Sequence, residues 1–402
     1  CERSGGRIGW YRVRNECGDA PYNECTEDDR RHGVKKAVIT LLLIILLAPF
    51  MATCCYADGL TGKAMEITGI NQLENALPGD AREISGKLDG NGTYDAGGAL
   101  ARLWRKIIVS ISDEIKGNVR NTAAIVAIAL ASSLAGTLTQ DKSIQGYINV
   151  AGVCAAAGLL TGGFDGIVSQ TSDALTTMSD YSRAALPAVF SAAAACGAVV
   201  SASARYAAVC MAIDVLMNMA RSVVIPLTYA FLALALCVSI FDNPLLKTCQ
   251  RFVKWLATTF MTGFTIIFSG YIGLTGIVTG SADAVAVRTA RTVISTTLPV
   301  VGGIISDAAS TVLAAAGMIK NSAGALSLVA VCALCAGPFV MLSVKMLLFR
   351  AAAAACDMVP NAKLSGFIND VGTALSMLLG LVGCCAIMLF ISFTAAIKVV
   401  TV

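Results

Sequence analysis

Cysteine and histidine are the residue types in this chain whose spacing could carry chemistry. The sequence has 15 cysteines but one histidine, His32, which precedes the predicted start of the mature protein. Cys332 and Cys335 have the C-x-x-C spacing of redox and zinc motifs, but they lie in an apolar run with no histidine or second cysteine pair nearby. We therefore expect them to pack as small hydrophobic side chains.

Motifs for nucleotide, zinc and acyl-transfer chemistry are also missing from the sequence. It contains no Gly-x-x-x-x-Gly-Lys, no His-Glu-x-x-His and no Gly-x-Ser-x-Gly, and its polar residues are scattered. The sequence therefore predicts a protein that is not an enzyme, with no catalytic residues, no cofactor and no metal site.

Charged residues inside apolar segments are the remaining candidates for function. Arg205, Asp214 and Asp307 lie in such segments, and we expect them to be buried. A charged side chain within a membrane span costs about 2.5–3.5 kcal/mol on insertion scales, so its presence indicates a role. The alternative is a hydrated position at the tip of a hairpin.

Composition places the chain in the membrane class. Hydrophobic residues make up 56% and charged residues 14% of the 402 residues, and the mean hydropathy is +0.72. The net charge is only +4 and no dense block of lysine and arginine occurs, which excludes a nucleic-acid partner. We predict an all-α, polytopic helical membrane protein.

The first 120 residues divide into three parts. Residues 1–33 are polar and lack an initiator methionine, so we expect a non-native or disordered leader. Residues 34–57 have the basic start, apolar stretch and small final residue of a secretory signal, with an uncleaved anchor helix as the alternative and a lipoprotein signal at Cys54 fitting less well. Residues 58–120 are predicted to be an extracytoplasmic region.

That region ends in a predicted amphipathic helix. Apolar residues from Leu100 to Val119 recur at helical spacing, and charged residues such as Arg105 and Glu114 occupy the other face. The helix either lies in the membrane interface, with Trp104 at headgroup level, or packs on its own extracytoplasmic region.

Six later segments are long and apolar enough to cross a bilayer. They are residues 121–139, 147–168, 222–241, 257–280, 324–349 and 371–398. With the signal cleaved and residue 58 outside, alternation places the basic loop 242–256 in the cytoplasm, as the positive-inside rule favours. We expect the glycine pairs Gly158 with Gly162 and Gly276 with Gly280 to support helix packing within or between chains.

Two further apolar segments, 184–219 and 293–319, contain residues that break helices. Such breaks are tolerated at membrane depth only where protein or water covers the backbone, so we predict two broken or re-entrant hairpins that line a pore. The candidate hairpin residues are Asp307, Pro299, Gly302, Gly303, Lys320, Arg288, Arg291, Pro187, Arg205 and Asp214.

The hairpins indicate an internal duplication. Three residues recur at a constant offset of 112: Leu186, Pro187 and Pro226 reappear as Leu298, Pro299 and Pro338. We predict a first helix pair over 121–180 and two membrane repeats, 181–285 and 286–402, related by an axis along the membrane normal. Chance similarity between alanine-rich segments is the alternative.

The run from Ala282 to Gly324 resembles the stage III sporulation protein AE family of endospore-forming bacteria. The resemblance rests on its Arg-Thr-Ala spacing, Pro299, Gly302, Asp307 and the Lys320-Asn321 pair, and it extends more loosely from about Leu100 to Lys398. It implies a multi-pass protein of the mother-cell membrane around the forespore, within a multiprotein channel that sustains forespore development.

The resemblance also implies partners. These are the other proteins of the stage III sporulation A operon, a forespore-side protein Q, membrane lipids, a YidC-type insertase and an ATPase encoded as a separate subunit. The family carries no established catalytic residues. A self-contained secondary transporter, with its site between the two hairpins, is the alternative function.

Overall fold

The structure is a computed structural model that describes residues 79–85, 95–137, 142–195, 199–241, 243–297, 302–357 and 362–397. These residues form helices and no strand, which confirms the all-α prediction for this part of the chain. The helices are α1 Gly79–Ser85, α2 Ala96–Thr137, α3 Lys142–Ala195, α4 Val199–Met219, a π-helix Ala220–Val224, α5 Ile225–Phe241, α6 Pro244–Thr297, α7 Gly302–Cys356 and α8 Ala362–Ile397.

Five stretches of the described helices are long and apolar enough to cross a membrane. They are Ile144–Ala194, Ala202–Phe241, Pro244–Thr275, Ala323–Cys356 and Lys363–Ile397. The chain is therefore a polytopic helical membrane protein, with one candidate span fewer than the six predicted. The predicted span 121–139 is missing from this set. Up to Thr137 it belongs to α2, the same uninterrupted helix as the predicted amphipathic segment before it.

Polar caps mark where two of the long helices begin. The Asp95 carboxylate accepts a hydrogen bond from the backbone N–H of Gly98 at 2.9 Å, which is the N-cap arrangement that satisfies a free donor in the first turn of α2. Asn243 caps α6 in the same way through the N–H of Leu245, also at 2.9 Å. Pro244 follows as the first residue of α6, a position that needs no N–H donor.

Helices α7 and α8 form the centre of the bundle. They run antiparallel, since Gly324 of α7 lies against Ile397 at the end of α8 while Gly372 near its start lies against Arg350. Their facing side chains are fully buried; the largest include Leu326, Leu342, Leu364, Phe367 and Phe393. Helices α3, α5 and α6 pack around this pair and expose more of their apolar surface.

Helix α2 stands beside α7 and runs in the same direction. Glu114 of α2 lies within electrostatic range of Lys345, and further along Ile125 and Ala129 share an apolar cluster with Ala352 of α7. The predicted amphipathic segment is therefore level with the candidate span Ala323–Cys356. The same segment also packs on α1, where Arg102 donates from Nε to the Ile84 carbonyl at 3.1 Å.

The first predicted break is displaced. Pro187 lies in the interior of α3, which continues to Ala195. An interior proline costs about 3 kcal/mol or more, but Leu186, Val189 and Phe190 beside it are fully buried and their packing keeps the helix continuous. The chain passes from α3 to α4 between Ala195 and Val199 instead.

The second predicted break falls outside the described residues. Helix α6 ends at Thr297 and α7 begins at Gly302, so Pro299 lies outside the described residues. The Gly302-Gly303 pair starts α7 and does not interrupt it. Helix α7 then continues through Lys320 to Cys356, so the second arm of the predicted hairpin and the next predicted span are one helix.

The predicted domain boundaries at 121, 181 and 286 fall inside α2, α3 and α6. The leader 1–33 and the signal or anchor 34–57 lie outside the described residues. The duplication stays a prediction: Pro187 is inside a helix, and its counterpart Pro299 lies outside the described residues.

Close packing of α2 on α3 at Gly152 yields a stability prediction. A Cβ atom at this position would lie 2.9 Å from Cβ of Ser132, closer than side chains tolerate. Gly152→Ala should therefore lower the free energy of unfolding by about 1–3 kcal/mol through overpacking. Thermal unfolding of the detergent-solubilised chain measures the change.

Gly270 of α6 is the matched control, because a Cβ atom added there would have no other atom within 4 Å. Gly270→Ala should leave stability unchanged or raise it by about 0.5–1 kcal/mol, the helix-propensity gain of alanine over glycine. Equal midpoints for the two variants would show that α2 and α3 are not in close contact at Gly152.

Candidate functional site

The second half of α3 pairs antiparallel with the continuous unit formed by α4, the π-helix and α5. Four contacts join them in nested order along the chain: Asp165 with Tyr229, Thr176 with Arg221, Arg183 with Asp214, and Phe190 with Tyr206. The two arms are therefore in register over more than twenty residues. This is a helical hairpin, and its arms extend well beyond the predicted segment 184–219.

Three of these contacts are polar, and we call them the polar ladder. The Tyr229 hydroxyl donates to the Asp165 carboxylate at 2.8 Å. The Arg221 guanidinium donates to the Thr176 hydroxyl at 2.6 Å. Arg183 forms a salt bridge with Asp214. Each contact joins one side chain of α3 to one side chain of the opposite arm.

A π-helix positions the middle contact of the ladder. Residues Ala220–Val224 form one wide turn between α4 and α5, and it carries Arg221. Pro226 follows two residues later and has no N–H to donate to the carbonyl of Ser222, so the regular helical pattern cannot continue there. Turns of this type occur mostly as local insertions in α-helices, often at functional sites.

The polar ladder is exposed although it lies within candidate membrane spans. The side chains of Arg183 and Asp214 are 62% and 58% exposed, and Asp165 and Arg221 are exposed as well. From Asp165 to Arg183 the ladder covers about 27 Å at 1.5 Å per residue, close to the thickness of a hydrocarbon core of about 30 Å. Acyl chains cannot solvate these charges, so water or protein must cover them in a membrane.

A second polar group joins three helices at one end of the bundle. Arg205 of α4, only 7% exposed, donates from Nη1 to the carbonyl of Ala395 in the last turn of α8 at 2.7 Å. Asp283 of α6 accepts a hydrogen bond from the N–H of Val200 in the first turn of α4 at 3.1 Å, and it attracts Arg205. The Arg205 cation thus lies at the C-terminus of α8 and the Asp283 carboxylate at the N-terminus of α4. Each charge is stabilised by the dipole of the helix end that it contacts.

A third cluster of polar side chains lines a cleft of about 350 Å³ between α2, α3, α7 and α8. Lys345 of α7 lines it and is 9% exposed, within electrostatic range of Glu114. Asn118 donates to the Glu114 carboxylate at 2.6 Å, which orients the carboxylate. Gln170 adds a further polar side chain to an otherwise largely apolar lining.

Cys332 is half-buried and Cys335 buried, as the sequence predicts, whereas Cys154 and Cys249 are exposed. Cys332 and Cys335 are free thiols, and Sγ of the buried Cys335 lies 4.0 Å from the Met178 sulfur. Among the described residues no group of three or more histidine, cysteine or acidic side chains is placed to hold a metal ion.

Comparison with known proteins identifies the family. A model of the family described as stage III sporulation protein AE matches residues 89–400, which include all helices from α2 to α8. The chain belongs to this family. The finding confirms the resemblance seen in the sequence and makes the chain a sporulation protein of a family whose name denotes no enzyme.

A curated member of the stage III sporulation protein AE family supports the assignment. The protein of that name from Bacillus subtilis (strain 168) is 20% identical over 230 residues, covering 57% of this chain and 58% of the relative. The match thus spans less than two thirds of the relative's length. No solved structure matches the chain.

The structure places the predicted site residues of this family member in different surroundings. Arg205 is buried as predicted, but Asp214 is exposed and pairs with Arg183, because it lies on the outer face of the hairpin. Arg288 is exposed on α6. The side chains of Asp307, Lys320, Arg291, Gly302 and Gly303 lie outside the described residues, although their backbones belong to α6 and α7.

The two predicted pairs of packing glycines lie in different helices. Gly158 and Gly162 lie in α3 with no atom of the described residues within 4 Å of a Cβ built on either, so no described helix packs closely there. Gly276 and Gly280 lie in α6, and their surroundings are outside the described residues. The α3 pair is therefore accessible to a helix of another chain.

Sequence reasoning missed most of the polar ladder and the cleft lysine. Asp165, Thr176 and Arg183 recur on one face of α3, and this helical spacing of polar residues within an apolar segment was the available signal. Lys345 is the single charged residue of the predicted span 324–349, and a charged residue inside a span indicates a functional role. The partners of these residues come from distant segments that no local pattern links.

The buried and exposed arginines should respond differently to substitution. Arg205→Met removes the cation beside the buried Asp283 and the donor to Ala395, so the free energy of unfolding should fall by about 3 kcal/mol or more. Arg183→Met, the matched control on the exposed ladder, should leave the thermal midpoint in detergent close to that of the unmodified chain. A loss for Arg183→Met as large as for Arg205→Met would contradict this assignment.

Proposed function

We propose that this chain is a membrane subunit of a multiprotein, secretion-like channel that links the mother cell and the forespore and is needed for forespore development. Membership of the stage III sporulation protein AE family supports the sporulation role. The helices long and apolar enough to span a bilayer support the membrane location. The site of action is the mother-cell membrane surrounding the forespore.

The observation that carries the subunit role is the exposed polar ladder. A self-contained transporter keeps its polar residues inside and presents an apolar surface to lipid. In this chain Asp165, Arg183, Asp214 and Arg221 lie on the outside of the bundle at the level of candidate spans. Such a surface is stable in a membrane only when other protein or a water-filled path covers it.

The partners follow from the same proposal and from the family resemblance. They are the other proteins of the stage III sporulation A operon, the forespore-side protein Q and membrane lipids. A YidC-type insertase assists insertion, and a separate ATPase subunit supplies energy. No Walker-type motif occurs in the sequence, which supports an external source of energy.

Reconstitution distinguishes a channel subunit from a self-contained transporter. The chain purified alone and placed in liposomes should give no ion-gradient-driven uptake of amino acids, sugars or organic anions. Its helices lack the covering partners that the ladder requires. Gradient-driven uptake without any partner would overturn the channel-subunit proposal in favour of a transporter with its site between the two predicted hairpins.

Asp307 provides a genetic prediction for the second predicted hairpin. If its carboxylate serves the channel, Asp307→Asn should block sporulation after engulfment while the amount of protein in the membrane is unchanged. Asp307→Glu, which retains the charge, is the control and should keep a substantial part of the spore yield. Normal spore formation by Asp307→Asn would remove Asp307 from the mechanism.

A further inference from the structure

One outer face of the chain is acidic. The exposed charged residues of the ladder and its surroundings comprise four carboxylates and two guanidinium groups: Asp165, Asp173, Asp180 and Asp214 with Arg183 and Arg221. The three aspartates of α3 are spaced so that they share one side of the helix. We call this surface the acidic face.

A second outer face, on α2, is basic. Its charged residues are Arg102, Arg105, Lys106, Lys116 and Arg120 with the single carboxylate Asp113, all exposed except the half-buried Lys106. Glu114 does not belong to this basic face, since it is directed toward Lys345 on the other side of α2. The two faces are thus opposite in charge.

An apolar stripe adjoins the basic face. It consists of exposed side chains at helical spacing: Trp104, Ile108, Ile111, Ile115 and Val119. In a membrane this stripe suits contact with acyl chains, which leaves the basic face turned to one side along the plane of the bilayer. In a bilayer, a basic surface in that position must be covered by other protein or by water, and a face of opposite charge suits it best.

The acidic and basic faces lie at the same level of the bundle. Asn118 of α2, Gln170 of α3 and Lys345 of α7 line one cleft. Further along α3, Met178 contacts Cys335, so α3 runs opposite to α7 and therefore opposite to α2. The two charged stretches have the same length: at the rise of an α-helix, about 27 Å separate Arg102 from Arg120 and Asp165 from Arg183.

The directions of the two helices make a match between copies possible. All copies of a membrane protein share one orientation, so α2 of one copy meets α3 of a neighbour antiparallel. At equal depth, Arg105 then lies level with Asp180 of the neighbouring copy and Arg120 with Asp165, while Arg102 lies level with Arg183. The opposite charges at Asp180 and Asp165 outnumber the like pair at Arg102, so this alignment is favoured over contact between like faces.

Small residues let a helix approach the acidic face closely. Gly158, Gly162 and Gly166 lie on the same side of α3 as Asp165 and Asp173, and no atom lies within 4 Å of a Cβ built on any of the three. Small residues at this spacing are enriched where helices associate in membranes, because they let the backbones come together.

We propose that the basic face of α2 in one copy docks on the acidic face of α3 and α4 in the next copy. The contact uses different surfaces on the two partners, so repeated association produces a ring when the rotation closes. It covers the charges of both faces within the membrane. The inference requires insertion in a bilayer but does not depend on what the assembly transports.

Disulfide crosslinking in membranes tests the register. Ser112 on α2 and Ser169 on α3 are both exposed and lie within about one helical turn of equal depth in antiparallel alignment. Two differently tagged copies, one with Ser112→Cys and one with Ser169→Cys, should give a crosslinked dimer on mild oxidation. The control pair, Ser112→Cys with Ile267→Cys on the outer surface of α6, should give none beyond the background of native cysteines.

Charge reversal tests the chemistry. A copy with Asp173→Lys and Asp180→Lys, or a copy with Arg105→Glu and Lys116→Glu, should lose co-purification with a second tagged copy of its own kind. Mixing the two reversed forms should restore co-purification, because each altered face then meets its complement. Membrane abundance and the thermal midpoint of each variant show whether it is folded.

The results separate this inference from the proposed function. Absence of the Ser112–Ser169 crosslink, or no restoration on mixing folded variants, would overturn docking between copies even if sporulation requires the protein. Reaction of both introduced cysteines with a membrane-impermeant thiol reagent, without crosslinking, would also overturn it and assign the faces to a water-filled path. Crosslinking together with restoration establishes the contact, whatever the sporulation phenotype.

Discussion

The cost of placing ionised side chains in hydrocarbon is the constraint on which this structure depends. Within the described residues the chain meets that cost in three ways. It pairs charges with helix ends, as Arg205 and Asp283 do where α4, α6 and α8 meet. It places a cation beside a carboxylate in a cleft, as with Lys345 and Glu114. It leaves other charges on the outside, where other protein or water must cover them.

The hairpin of α3 with α4, the π-helix and α5 shows how local irregularity serves this arrangement. Proline at position 226 prevents a regular helix, and the wide turn before it directs Arg221 toward Thr176. The resulting ladder holds the two arms in register but leaves its charges exposed. The same contacts therefore stabilise the hairpin and create a surface that is incomplete in a single chain.

Family membership and surface chemistry lead to the same functional class by separate routes. The matched family is named for a stage of sporulation and covers the whole helical part of the chain from α2 onward. The outer faces of opposite charge on α2 and α3 fit the proposed role in an assembly. Neither observation identifies a reaction, and both agree with the absence of catalytic motifs in the sequence.

The sequence by itself determined the helical membrane class and the family, because hydropathy and family-specific residues are local properties of the chain. It also indicated Arg205 as a buried charge. Only the tertiary structure decided that α3 continues through Pro187, where buried neighbours offset the cost of the proline. It alone joined Asp165 to Tyr229 and Glu114 to Lys345, and it turned Asp214 outward, because contacts between distant segments depend on how whole helices pack.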